Sequence, residues 1–262
     1  MYLFFLKKNF CDGWDNLFLL VAVNALLLIF TALCSVVLYA VGTVAAVASA
    51  IVVLWAVGTA VLCLAYGEVA CLVADFKGVT LADYFRAIPA SLADGIRLGL
   101  IGGVSLIAVP LGTYFYFSLE TFTGFLLGAL VLWVALFEAV TLQWFVAVRS
   151  LLHCGFTACL KKCLFVAFDN MGFSFFMLMY DSVLAVLSII PGAGLAPSGA
   201  GIVLAKVNAL RLRLYKYDYL AAHPECTTPQ LRRKIPWDTL VAHDRETLGP
   251  RPLSSFFFPW KG

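Results

Sequence analysis

The sequence predicts an all-α polytopic membrane protein of six transmembrane helices, paired as three parallel-repeat hairpins with a cytoplasmic interfacial helix ahead of each. Three observations carry that expectation. Hydrophobic residues make up 63% of the chain and charged residues 13%, at a mean hydropathy of +0.96, too little charge to cover a soluble domain of this length. From Asn16 to Gly67 there is no Asp, Glu, Lys or Arg, which leaves room for two crossings at ~20 apolar residues each. And the stretch "WDNLFLL" at 14–20 returns as "FDNMGFSFF" at 168–176, as if one unit began twice.

The elements follow in order. Spans 1 and 2 share the charge-free run from Asn16. Leu98–Leu119 is charge-free and gives span 3; Thr121–Phe137 opens span 4, which continues past Glu138 towards Arg149. Met171–Ile190, interrupted by Asp181, is span 5, and the loop "PGAGLAPSG" separates it from span 6, about Ala200 to Leu212. Lys7 and Lys8, then Lys77, Arg86 and Arg97, then Arg149, Lys161 and Lys162 fall on one set of loops, and the opposite loops carry no Lys or Arg. The positive-inside rule then puts both termini in the cytoplasm. Asp and Trp near the N-terminus do not suit a cleavable signal peptide, so span 1 is expected to stay as an anchor.

Ahead of each odd span lies a mixed stretch: "YLFFLKKNFCDGWDN", "TLADYFRAIPASLADGIR" and "FTACLKKCLFVAFDN". Aromatics and aliphatics at helical spacing beside Lys and Arg suit a helix lying in the interface plane. In the second, Leu81, Tyr84, Phe85, Ile88 and Leu92 make one face, with Thr80 and Asp83 placed for a capping box. Gly78 and Gly155, Thr80 and Thr157, and Gly95 and Gly172 are all separated by one interval, and Asn16 and Asn170 by twice that interval. The interval divides the chain into units 1–77, 78–154 and 155–216, followed by a tail at 217–262. Two spans per unit return each copy to the same side, as parallel repeats require.

Charge in hydrocarbon is costly and marks function or structure. Glu68 in span 2, Glu138 in span 4, Asp181 in span 5 and Lys206 in span 6 are the candidates for one intramembrane polar cluster, which Asn24, Gln143 and Asn208 could extend. Glu68 and Lys206 each precede a charged span-end residue, Asp75 and Arg213, by the same number of positions, which suggests equal depth. The cluster reads either as a site for solute or protons or as a salt-bridge lock between helices.

The remaining signals exclude more than they assign. A formal charge of +3 reflects basic residues facing anionic headgroups, not nucleic-acid affinity. Most of the eight cysteines map to the reducing side, so no disulfide framework is expected. Cys159 and Cys163 could share a helix face, but "HCGFTACLKKC" matches no zinc spacing; no metal and no cofactor is expected. No phosphate-binding loop, zincin or nucleophile-elbow motif is present, and an enzyme is not expected. The tail is proline-rich yet carries Trp237, Phe256, Phe257, Phe258 and Trp260. Aromatics at that density want a surface, whether the chain's own interfacial helices or a membrane-protein partner.

The segments "NFCDGWDNLFLLVAVNALLLIFTAL" and "FKGVTLADYFRAIPASLADGIRLGL" resemble those of the YesL family of bacterial integral membrane proteins. The shared features are an early Asn inside the first span and a Tyr-Phe-Arg helix leading into a Gly-containing span. The resemblance runs from the N-terminus to around Pro110. It implies a bacterial inner-membrane location and a sugar-transport or accessory role. A non-enzymatic subunit of a transport-linked complex is therefore expected, with a stand-alone secondary transporter using the polar cluster as the alternative.

Overall fold

The computed structural model describes residues 1–189, 195, 198–223 and 235–250, and these are helical throughout apart from caps and turns, with no strand among them. α1 (Tyr2–Asp15) and α2 (Leu17–Val41) meet at Asn16. There the backbone leaves the helical region (φ −114°, ψ 28°), and the side-chain amide donates to the Asp12 carbonyl at 2.9 Å. A side chain that back-bonds in this way competes with the helix ladder and lets the chain turn. α7 (Phe156–Asp169) and α8 (Met171–Leu187) turn the same way at Asn170 (φ −128°, ψ 45°), whose amide reaches the Val166 carbonyl at 3.3 Å; the bend is 102°.

Between these corners stand two hairpins, α2 with α3 (Ala45–Ala74) and α4 (Leu81–Ser118) with α5 (Phe122–Leu142). Thr80 and Asp83 form the capping box read from the sequence, and α4 then runs 38 residues without a break. A separate interfacial helix was expected there. Ala93 occupies the matching place, midway in sequence between the two corner Asn residues, and has no amide to bond the backbone; the neighbouring Asp94 carboxylate is held by Arg149 at 2.6 Å.

α2, α3, α4 and the run Phe122–Leu152, made of α5 and α6 (Phe145–Leu152), are long and apolar enough to cross a membrane. A fifth crossing is added if α7 and α8 count as one bent span. Only 11–22% of their most apolar stretches is covered by the rest of the chain, leaving Leu33, Val104, Phe122 and Trp133 exposed. A soluble protein could not present such a surface to water.

α9 (Gly199–Ala222), expected as a sixth span, does not pass the same test of length and apolarity. Half of its 24 residues are buried, Lys206, Asn208 and Arg213 among them. Its N-terminus docks part-way along α2. The Asn24 side chain accepts from the Ala200 N–H and donates to the Leu195 carbonyl, both at 2.8 Å. An intramembrane Asn on one helix thus satisfies orphan groups at the start of another. About 25 Å of α2 lies beyond that point, at ~1.5 Å per residue.

The core forms where α3, α6 and α9 pack mutually, through Ala65, Ala70, Ala147, Ala205 and Ala209. α4 lies against α3 by a stripe of glycines. Gly95, Gly99 and Gly103 face Val61, Val57 and Val53, and a Cβ on Gly99 would fall 2.3 Å from the Val57 Cα. Small residues at such spacing bring apolar helices into backbone contact.

The helix boundaries keep the interval seen in the sequence. α3, α5 and α9 begin at Ala45, Phe122 and Gly199, which are equally spaced, and α2 and α4 end at Val41 and Ser118, separated by the same interval. Phe76 and His153, again one interval apart, follow α3 and α6 in left-handed conformation (φ 56° and 43°). Beyond α9, α10 (Trp237–Leu240) and α11 (Ala242–Leu248) fold back on the bundle. Leu248 covers Cys11 and Phe4, Val241 enters the core, and the Tyr215 hydroxyl lies 3.3 Å from both carboxylate oxygens of Asp244. Of the tail aromatics, Trp237 packs near Arg213; Phe256, Phe257, Phe258 and Trp260 lie outside the described residues.

Candidate functional site

Lys206 sits on α9 at 3% exposure, with its Nζ 2.5 Å from Asp181 Oδ2 on α8 and 2.5 Å from Gln143 Oε1. Gln143 stands at the break between α5 and α6, where its Nε2 donates to the Val140 carbonyl at 3.0 Å and the Ser174 carbonyl at 3.1 Å. The neighbouring Trp144, fully buried, offers its ring to Lys206 at 5.5 Å and donates its indole N–H to Ser174 Oγ at 3.1 Å. One ammonium therefore ties α9 to α8 and to the α5–α6 junction. Asp181 Oδ1 is buried and meets no donor among the described residues.

Of the four acidic and basic residues read as one cluster, only Asp181 and Lys206 come together. Glu68 lies near the end of α3, with Oε1 3.7 Å from Arg149 and Oε2 3.7 Å from His153. Arg149 also binds Asp94, so α3, α4 and α6 are clamped around one guanidinium. Beside it opens a polar cleft of about 410 Å³ lined by Glu68, Asp75, Lys77, Asp83 and Ser150. Glu138 faces a third direction, accepting from Ser105 of α4 at 2.7 and 2.8 Å. Lys206 lies in the first third of α9 and Glu68 in the last third of α3, and each holds partners of its own.

A second buried centre was not read from the sequence. Lys8 and Asp12 of α1 pair at 3.1 Å with exposures of 1% and 3%. Lys8 also donates to the Ala74 carbonyl at 3.1 Å, at the α3 C-terminus, and lies 3.8 Å over the Phe76 ring. Asp12 Oδ2 accepts from Asn208 at 2.9 Å. Burial pushes Lys8 below and Asp12 above their ordinary ranges, while their mutual attraction opposes both shifts. The signal was present: Phe5, Lys8, Asn9 and Asp12 share one face of α1, the face that is buried. Lys8 was instead read with Lys7 as flanking positive charge. Asn208 thus joins α9 to α1, and Asn24 caps α9, so neither extends the Lys206 pair.

Chemically, both centres are buried ion pairs that join helices. Neither Lys206 nor Asp181 lines the cavity of about 340 Å³ that their neighbours Tyr180, Leu184 and Leu204 help to form. Among the described residues no three His, Cys, Asp or Glu side chains are placed to hold a metal ion, and Cys159 and Cys163 are buried in the core. No protein-family model, curated protein or solved structure matches this chain.

Proposed function

We propose that this chain is a non-enzymatic accessory subunit of a transport-linked complex in a bacterial inner membrane, and that its buried charges are locks between helices. The observation that carries the reading is the engagement of Lys206. An ammonium that is 3% exposed and bound by both Asp181 and Gln143 is spent on joining α9 to α8 and to the α5–α6 junction, as a lock requires. The inner-membrane and transport assignments rest on the family resemblance of the segment that ends around Pro110.

The architecture belongs to the same proposal. We read three copies of one unit, an amphipathic helix followed by a hairpin. The matched corners at Asn16 and Asn170 and the equal spacing of the α3, α5 and α9 starts support it. The third hairpin is the short one, entering from the side of both termini and stopping at the depth of Asn24. The one-sided Lys and Arg distribution supports a cytoplasmic placement of that side. The aromatics Phe256 to Phe258 and Trp260 enter the same proposal as docking residues for the companion.

The test compares wild type, Lys206→Ala and the double variant Asp181→Leu/Lys206→Met after mild-detergent purification from native membranes. Replacing a buried pair by packed apolar residues is often neutral, whereas removing one partner strands a charge. We expect a stoichiometric companion with wild type and the double variant, and loss of folded protein with Lys206→Ala. A wild-type chain that emerges alone defeats the subunit reading. A double variant that folds normally yet loses its companion or its transport phenotype defeats the lock.

A further inference from the structure

The locks leave one carboxylate unused, and it lies in a groove. Between α3, α4 and α5 opens a cavity of about 550 Å³ that follows α4 from Leu98 to Pro110, about 18 Å at ~1.5 Å per residue. Its surface is apolar except for Glu138, Ser105 and Thr59. Both oxygens of Glu138 contact the Ser105 hydroxyl, which has one proton to give and cannot neutralise the charge. Among the described residues no Lys, Arg or His lies within ion-pair distance of Glu138. It stands about 24 Å along α5 from Phe122, one turn before the helix ends at Leu142, within the run Phe122–Leu152 that is apolar enough to cross a membrane, where carboxylates are costly and find partners.

One further group in the groove awaits a partner. Pro110 has no N–H, so the Leu106 carbonyl one turn earlier loses its helical donor. Small residues contribute to each wall of the groove, Ala56 and Thr59 of α3, Gly102 and Ser105 of α4, and Ala135 and Ala139 of α5, between larger ones such as Trp55, Leu106 and Leu142. A Cβ on Gly102 would meet nothing within 4 Å.

We propose that this groove receives a transmembrane helix of another protein, and that the helix carries a Lys or Arg that pairs with Glu138. The proposal rests on the subunit reading and names the chemistry of the companion. Charge complementarity selects the occupant: an acyl chain offers no cation at that depth, whereas a basic side chain on a helix does. A second copy of this chain cannot offer Lys206, which is 3% exposed and already held by Asp181. Small residues on three walls let a visiting helix come close.

The experiment places a photocrosslinking amino acid at Gly102 of the full-length chain, with Glu138 intact or as Glu138→Gln. Both are purified from native membranes, and the crosslinked segment is identified by mass spectrometry. The expected product is one apolar segment of a different protein with a Lys or Arg within two turns of the crosslink. Its yield should fall about tenfold in Glu138→Gln, whose thermal midpoint stays unchanged because its amide oxygen still accepts from Ser105. Crosslinks to lipid alone, to a second copy or to a segment without a basic residue overturn the proposal, as does equal yield in both chains. A companion that co-purifies but crosslinks elsewhere ends this proposal and spares the subunit reading; no companion at all ends both.

Discussion

Lys8 shows how this bundle keeps a charge inside it. The ammonium finishes α3 by bonding the Ala74 carbonyl, pairs with Asp12 and lies against Phe76, so the negative end of one helix and an acid on another share it. Lys8→Met leaves Asp12 buried without its counter-charge and should cost about 3–5 kcal/mol. The pH dependence has a definite sign. Burial already holds Asp12 above the ordinary carboxylate range and Lys8 opposes that rise, so its removal lifts Asp12 further. The folded chain then holds the proton more tightly than the unfolded chain, and stability falls as pH rises from the ordinary carboxylate range to the raised value. Thermal melts of Lys8→Met from acid to neutral pH should therefore improve on the acid side, and more steeply than wild type. A flat profile would mean that Asp12 finds another cation. Single residues of this kind were only half legible. Lys206 and Asp181 stood out because hydrocarbon surrounds them in the sequence, whereas Lys8 looked like solvated flank until α1 was seen to bury its charged face.

Helices in this molecule are set by small side chains as much as by large ones. The Gly95, Gly99, Gly103 stripe lets α4 descend α3 at backbone contact, each step of four on one helix matching a step of four on the other. Gly99→Ala places its Cβ 2.3 Å from the Val57 Cα, so the helices must part. Overpacking of this kind costs about 1–3 kcal/mol, readable as a lowered unfolding midpoint in detergent. Gly102→Ala, one position from Gly103 but facing the open groove, should leave that midpoint level or raise it by the helix preference of Ala over Gly, about 1 kcal/mol. If the two variants behave alike, the stripe is not what holds α4. The sequence shows glycines in span 3 without saying which face they share, because the register against α3 is a property of two helices together. The Asn corners were more legible. "WDN" and "FDN" flagged one break twice, and the same rule read at Ala93 explains why α4 runs on unbroken there.

At the scale of the whole chain, the apolar runs foretold the crossings of the first two hairpins but not the depth of the third. Composition counts Met171–Ile190 and Ala200–Leu212 as spans. The start of α9 is held by Asn24, which accepts from the Ala200 N–H part-way along α2, and no periodicity within α9 reports that. The tail was ambiguous for a similar reason, since aromatics announce a surface without saying whose. Residues 235–250 use the chain's own: Leu248 over Cys11, Val241 in the core, Asp244 at Tyr215 and the Gly249 carbonyl on Lys7 at 3.3 Å. A chain ending at His223 should still insert, because its apolar spans do not depend on the strap. It should lose about 3 kcal/mol, in the range expected for exposing Val241 and Leu248. Cys11, 0% exposed beneath Leu248, provides the sharper readout. A membrane-impermeant maleimide should label it rapidly in inside-out vesicles carrying the shortened chain, while the full-length protein stays protected. Equal labelling in both would place the strap off the bundle, leaving Trp237 and its neighbours open to a companion. Protection restored by adding a peptide of residues 235–250 would tie the effect to this contact, since only that segment carries the Leu248, Val241 and Asp244 set that the α1 and α9 surface accepts.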